Sequence, residues 1–463
     1  MLIRQSFHTQ GGSDIDRYMR THPNSGACPV CAAIVQVDEE CFSHLFSELD
    51  HVASSSEAVI DALGFCSRHG SLLAEQSDKA QGIARVFSRA SQHLSEWLKN
   101  ERIAEEKLQP MFLTAPKTCP ACKFREHATA THLTKIAKLW TEPSVLDGKQ
   151  NRAIVCLPHL RKLAITLEPS VIDRVLAIHF DEITFALRTL DEIGGLEQAA
   201  TVGSDAGVTA AVESVAGTVA GLPKYELVSK GDEGSDLAAA LQSNSMSTES
   251  LENPNICPVC LEVHRAVEKW INSLETAVEF GQDLWMVFPT CPEHVWTCLR
   301  RGSRRVALAA TRQVADVMLR HLRRGAEALA PNSDASTEQQ TAPSAPARKS
   351  ARGIPRCQAC ERMNLAEDKA TDQLLRLMQE QRFRHSLERG HGLCIKHFAY
   401  AYVFAPKNKI RSALLEIHTQ KLESLRKDLD AALGSRSPDY FQIDSSGKNL
   451  SWKCAVYRFS GFI

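Results

Sequence analysis

Two kinds of short pair recur along this chain, and both are built from side chains that bind metals. The first kind is CxxC: Cys28 and Cys31, Cys119 and Cys122, Cys257 and Cys260, Cys357 and Cys360. The second kind is CxxH: Cys66 and His69, Cys156 and His159, Cys291 and His294, Cys394 and His397. They alternate strictly, and each CxxC is followed by its CxxH after 30 to 34 residues. Such self-similarity marks an internal repeat that organises the whole chain. Three cysteines and one histidine make a tetrahedral set suited to Zn²⁺, and two-residue hooks are the usual way to present it. The spacing therefore predicts one Cys3His site per repeat, and about four Zn²⁺ per chain. Within repeat 1, Cys28 and Cys31 are expected to close on the same ion as Cys66 and His69, and so on along the chain. Four protein ligands leave no open position for water, so the sites read as structural and no catalytic residue is assigned. Iron–sulfur ligation is the alternative cofactor, and a redox-active dithiol the alternative chemistry.

Other cysteine chemistries fit less well. Thiol oxidoreductases place CPxC after a strand in a βαβ setting, which is not visible here. A c-type haem needs His directly after the second Cys, and Ala32, Lys123, Leu261 and Glu361 stand there. CPVCLE at 257–262 opens like a RING finger, but the further CxxC does not follow Cys298. The remaining cysteines, Cys41, Cys298 and Cys454, read as packing residues or stand alone. His44 reads as solvated, and His93, His179, His321 and His418 as core or interface histidines.

The elements that must position these hooks are helical. The composition, 43% hydrophobic with only 6% aromatic, leans toward helix. After the first hook, Ile34, Val37, Cys41, Leu45 and Leu49 recur at helical spacing. A helix of about 16 residues spans some 24 Å, so a return segment, SSSEAVIDALG, is needed to bring CxxH back. After CxxH a longer helix carries Ile83, Val86, Phe87, Ala90, Leu94 and Trp97 in repeat 1. In repeat 2 the stripe is Ile172, Leu176, Ile183, Leu187 and Leu190. These stripes mean core packing. The fold class is thus all-α, with four tandem small helical modules of about three helices, each closed by a Cys3His site. The modules span 24–106, 115–195, 253–328 and 355–435. Flexible linkers occupy 196–252 and 329–354, the latter rich in Pro, Ser and Ala. In the tail, 436–463, YFQI and LSWKCAVYRF flank a polar DSSGKN and pattern as a short β-hairpin. Modules this small have modest cores, and a metal staple offsets that weakness.

The net charge of −1 announces no nucleic-acid partner. Charge is local instead. Residues 299–324 pattern as an amphipathic helix with Arg301, Arg305, Arg312 and Arg323 in one sector and Val306, Ala310, Val314 and Val317 opposite. That face reads either as ion-paired and solvated or as a surface for nucleic acid. No apolar run approaches the roughly 18 residues of a membrane span, and twelve of the fifteen cysteines fall in ligand-type pairs, which suits a reducing compartment, so the chain reads as cytoplasmic. The expectation is a non-enzymatic scaffold or adaptor for a protein partner, with no membrane association. The alternatives are a nucleic-acid-associated protein and a thiol redox or metal-handling protein.

CPVCAAI followed by GFCSRHGSLLAEQSDKAQGIARVF resembles an uncharacterised family of bacterial helical proteins with CPxC and a downstream GFCxxH. The resemblance is clearest in repeat 1. Repeats 2 to 4 carry IVC, PTC and GLC before the third ligand, and repeat 4 has Gln358 in place of the hook proline. The resemblance implies a bacterial origin and metal ligation, and supplies no function.

Overall fold

The computed structural model describes residues 28–46, 52–99, 119–142 and most of 155–199. It further describes most of 246–280, parts of 292–312, most of 357–434, and 451–460. The linker 329–354 and residues 435–450 lie outside these, as do Cys291, Arg305, His321 and Arg323. Every regular element among the described residues is a helix, with no strand, as expected of an all-α chain. None of these helices is long and apolar enough to cross a membrane.

Repeat 1 shows how the local rules work. Helix α1, Pro29–Phe46, begins at the first hook. Proline suits the first helical position because its missing N–H would be an orphan there anyway. Helix α2, Val52–Asp61, is the return segment. Leu63 and Gly64 then take positive φ, 51° and 90°, which turns the chain into the second hook. Helix α3, Ser67–Glu75, starts there, and a 3₁₀ turn leads into α4, Ala80–Leu98. Of the expected stripe, Ile83, Val86, Phe87, Ala90 and Leu94 are wholly buried on α4, and Trp97 is half-buried. The repeat therefore holds four α-helices rather than about three, because the CxxH hook starts a short helix of its own.

The other repeats reuse these parts. Repeat 2 has α5, Pro120–Trp140, α6, Leu157–Ala164, and α7, Pro169–Ala199. A short α8, Thr248–Glu252, precedes α9, Pro258–Glu279, and α10, Pro292–Arg301, of repeat 3. Repeat 4 has α11, Gln358–Leu377, α12, Gln381–Arg389, α13, Ile395–Phe404, and α14, Lys409–Gly434. In the tail, α15 spans Ser451–Ser460.

The tail corrects an expectation, since it forms a helix and not a hairpin strand. Trp452, Ala455, Val456 and Phe459 are all fully buried, and their spacing of three, four and seven is helical. The alternation in LSWKCAVYRF is weaker than this stripe.

Two compact units divide the chain. One comprises residues 1–37, 127–227 and 269–362, the other 38–126, 228–268 and 363–463. In the first, Ile136, Trp140, Val155, Leu160, Leu163, Ile172, Val175 and Ile183 pack with Cys28, Val30 and Ile34. In the second, α4 lies along α14, with Ser88 Oγ donating to Asp430 at 2.5 Å and Lys99 paired to Glu423 at 2.8 Å. Helix α15 packs on α3, α4, α13 and α14 of the same unit. Phe65 N–H donates to the Phe459 carbonyl at 3.0 Å. A Cβ added at Gly64 would lie 1.5 Å from that carbonyl oxygen, so the Gly-Phe before Cys66 accommodates the tail helix.

Candidate metal centre

Each hook is placed by helix starts. Cys28, Cys119, Cys257 and Cys357 each precede a helix, and each carbonyl accepts from the residue four on: Ala32, Lys123, Leu261 and Glu361. Cys66 and Cys394 sit just before α3 and α13 with extended backbone. The second ligand of every hook falls in the first turn, three residues later. In the hooks described in full, both side chains thus face one point at the positive end of a helix, which favours thiolate. Gln358 in repeat 4 is tolerated for the same reason that proline is: nothing inside the helix needs the first N–H.

The hooks do meet, but not within a repeat. Four groups come together: Cys28, Cys31, Cys156 and His159 (site A); Cys66, His69, Cys119 and Cys122 (site B); Cys257, Cys260, Cys394 and His397 (site C); and His294, Cys357 and Cys360 (site D). Repeats 1 and 2 exchange their CxxH hooks, and so do repeats 3 and 4. The expectation that Cys28 and Cys31 close on Cys66 and His69 is therefore corrected, with its three counterparts. In repeat 1, helix lengths give the reason. With 18 residues, α1 is about 27 Å long, while the 10-residue α2 returns only about 15 Å. CxxH of repeat 1 therefore stops near the middle of α1, at Asp38, and cannot reach its own CxxC. Sites A and D belong wholly to the first unit, and B and C to the second. Cys291, the expected fourth ligand of site D, lies outside the described residues.

The geometry fits a tetrahedral ion. Bond lengths of about 2.3 Å to sulfur and 2.0–2.1 Å to nitrogen give tetrahedral edges of roughly 3.8 Å for S···S and 3.5 Å for S···N. In site A, Cys31 and Cys156 Sγ are 3.6 Å apart. His159 Nδ1 lies 3.4, 3.5 and 3.1 Å from Cys28, Cys31 and Cys156. In site B, Cys66 and Cys122 are 3.6 Å apart, and His69 Nδ1 is 3.1, 3.5 and 3.3 Å from Cys66, Cys119 and Cys122. In site C, Cys260 and Cys394 are 3.8 Å apart, and His397 Nδ1 is 3.4, 3.3 and 3.2 Å from Cys257, Cys260 and Cys394. In site D, His294 Nδ1 is 3.6 and 3.4 Å from Cys357 and Cys360. All these sulfurs stand well beyond the 2.05 Å of a disulfide, and the described ones are free thiols. In every site the histidine turns Nδ1 toward the sulfurs.

The electrostatics also ask for a cation. Burial pushes the Cys28 thiol up to about 12, while its neighbour Cys31 is pulled down by Cys156 and Cys28. In site B, Cys119 and Cys122 draw Cys66 down, and Cys119 is driven up by sharing its proton with them. Burial opposes a charge on His69, yet Asp38 and the thiolates hold its imidazolium up to about 11. His294 is likewise held up to about 9 by Cys357 and Cys360 against its burial. Closely packed thiols cannot all ionise without a compensating cation, and a divalent ion supplies it.

Outside the sites, the sequence reading of single residues holds for several. Cys41 packs in the core and its thiol is pushed up by burial, and Cys298 is a buried thiol outside the ligand groups found among the described residues. His179 is buried, with Nδ1 2.8 Å from the Val175 carbonyl and Nε2 meeting Val155. His418 stacks on Phe398 at 3.9 Å. Of the basic sector, Arg301 and Arg312 are exposed and Val306 and Ala310 buried, as the amphipathic pattern predicts.

Residues missed by sequence reasoning stand behind two of the histidines. His69 Nε2 lies 3.3 Å from Asp38 and His397 Nε2 3.0 Å from Glu367. Each acid is the seventh residue after the second cysteine of its own repeat's CxxC, a signal that could have been read once the hook helices were drawn.

Residues 20–192 match a family of unknown function, DUF6062. That span holds repeats 1 and 2, hence both complete sites A and B. No curated protein and no solved structure matches the chain.

Proposed function

We propose that the chain is a zinc-stapled helical repeat protein without catalytic activity at its metal centres, serving as a scaffold or adaptor for a protein partner. The observation that carries the metal reading is the convergence of ligand atoms from hooks 50 or more residues apart onto tetrahedral edges. In site A, for instance, the partners are 125 to 131 residues apart. The donor set favours Zn²⁺, which takes thiolate and imidazole without geometric preference of its own. Three complete Cys3His sets leave no position for water, which supports a structural role. The adaptor reading is supported by aromatic side chains left outside, Phe280 at 71% and Phe404 at 56% exposure.

Anaerobic purification followed by elemental analysis and an absorption spectrum tests the metal. About four zinc ions in a colourless protein is the expected result. A brown protein containing iron overturns the zinc assignment, and a metal-free folded chain overturns the staple. The adaptor reading is tested by affinity capture, where absence of any reproducible partner counts against it.

A further inference from the structure

We infer that Asp38 and Glu367 are positioning residues that lock the histidines of sites B and C, and that site A, whose histidine has no such lock among the described residues, exchanges its ion before B and C. The inference rests on the zinc reading above.

Histidine can bind a metal through either ring nitrogen, and its ring must stop rotating to do so. A carboxylate on the far nitrogen removes both freedoms: it holds the proton on Nε2, presents the Nδ1 lone pair to the metal, and raises ligand basicity. Asp38 does this for His69 through Oδ1 at 3.3 Å. Its other oxygen is gripped by Arg68 at 3.1 Å, with Arg125 3.8 Å away. Glu367 does it for His397 at 3.0 Å, while Lys396 holds the same carboxylate at 2.9 Å. The two arrangements are built alike. In each, the acid lies two helical turns past the hook, and the base directly precedes the histidine.

This acid and base pair occurs in repeats 1 and 4 alone. Repeat 2 has Thr129 and Pro158 at the corresponding places, and repeat 3 has Val267 and Glu293. Because the CxxH hooks are exchanged, the locked histidines serve sites B and C, and the histidine of repeat 2 serves site A. His159 meets the thiols of site A, and no carboxylate pairs with it among the described residues.

Burial alone orders the sites differently. All four ligands of site A are buried, whereas Cys66 and Cys122 of site B are half-exposed. Access of solvent and chelator would empty B before A. The outer carboxylate empties A before B, so this one comparison separates the two causes.

The experiment uses the zinc-loaded full chain under anaerobic conditions with excess chromogenic chelator. Pulsed alkylation and mass spectrometry report which cysteines lose their ion. The expected order is Cys28, Cys31 and Cys156 first, with Cys66, Cys119 and Cys122 and then Cys257, Cys260 and Cys394 protected for longer. Asp38→Asn should speed loss from site B about 10- to 100-fold and leave site C unchanged. Glu367→Gln should do the reverse, and Asp38→Glu should restore part of the delay. Site B emptying before site A overturns the inference. So do rates within about twofold of the parent in both variants, or a variant that speeds all sites alike. A chain that holds no metal fails the zinc reading and this inference together. A chain that loads its ions but releases them in another order fails this inference alone.

Discussion

Replacing Cys156 by serine distinguishes the exchanged pairing from closure within a repeat. In the structure Cys156 shares its site with Cys28, Cys31 and His159, so the variant removes one of four ligands there and none from Cys119 or Cys122. Cys31 and Cys156 are separated by 125 residues. Zinc leaves when the chain unfolds, so the clamp stabilises the native state by its binding free energy, about 4 kcal/mol when free zinc exceeds the Kd of the site roughly 1,000-fold. The variant is therefore expected to lose one zinc per chain and about 4 kcal/mol of stability at that zinc concentration, confined to the unit containing site A. Zinc content, denaturant unfolding and alkylation mapping on one sample read this out. Cys28 and Cys31 should become reactive while Cys119 and Cys122 stay protected. Reactive Cys119 and Cys122 with Cys28 and Cys31 still protected would refute the exchange and the helix-length argument behind it.

Further outcomes are expected elsewhere. Gly64→Ala should destabilise the second unit by at least about 2 kcal/mol, because its Cβ would strike the Phe459 carbonyl and the residue sits at φ 90°; urea unfolding measures it. Phe459→Ala, which empties a buried aromatic contact with Phe87 at 4.8 Å, should cost about 3–5 kcal/mol and leave zinc bound at site A. Burial pushes the His179 pKa below its usual value, so the native state resists taking up this proton. Stability should therefore be full above the unfolded value of about 6.5 and fall as pH drops below it. Unfolding midpoints at pH 5 and 7.5, with zinc saturating, should differ less in His179→Gln. Removing metal with a chelator should lower the melting temperature, with recovery on adding zinc back; an unchanged melting curve would contradict the staple.

Much of the candidate site could be read directly. Ligand identity is a local matter. A cysteine just before a helix and a second ligand in its first turn must face the same point, so CxxC and CxxH announce themselves by spacing. The stripe on α4 was legible for the same reason, since Ile83 to Leu94 repeat at the period of a single helix. The tail was misread because ten residues offer two competing periods, and only packing against Gly64 and Phe87 chooses between them. Asp38 and Glu367 went unnoticed because an acid on a helix surface is ordinary until a histidine is seen to turn toward it.

The sequence alone picked out which residues form the ligand-type hooks, that helices carry them, and that the pattern occurs four times, since each follows from interactions among neighbours a few residues apart. Which hook closes on which was decided only in three dimensions. In repeat 1 the return helix α2 is shorter than α1, so CxxH falls short of its own CxxC and meets one from another repeat. Nothing in the spacing of either motif records that difference in length.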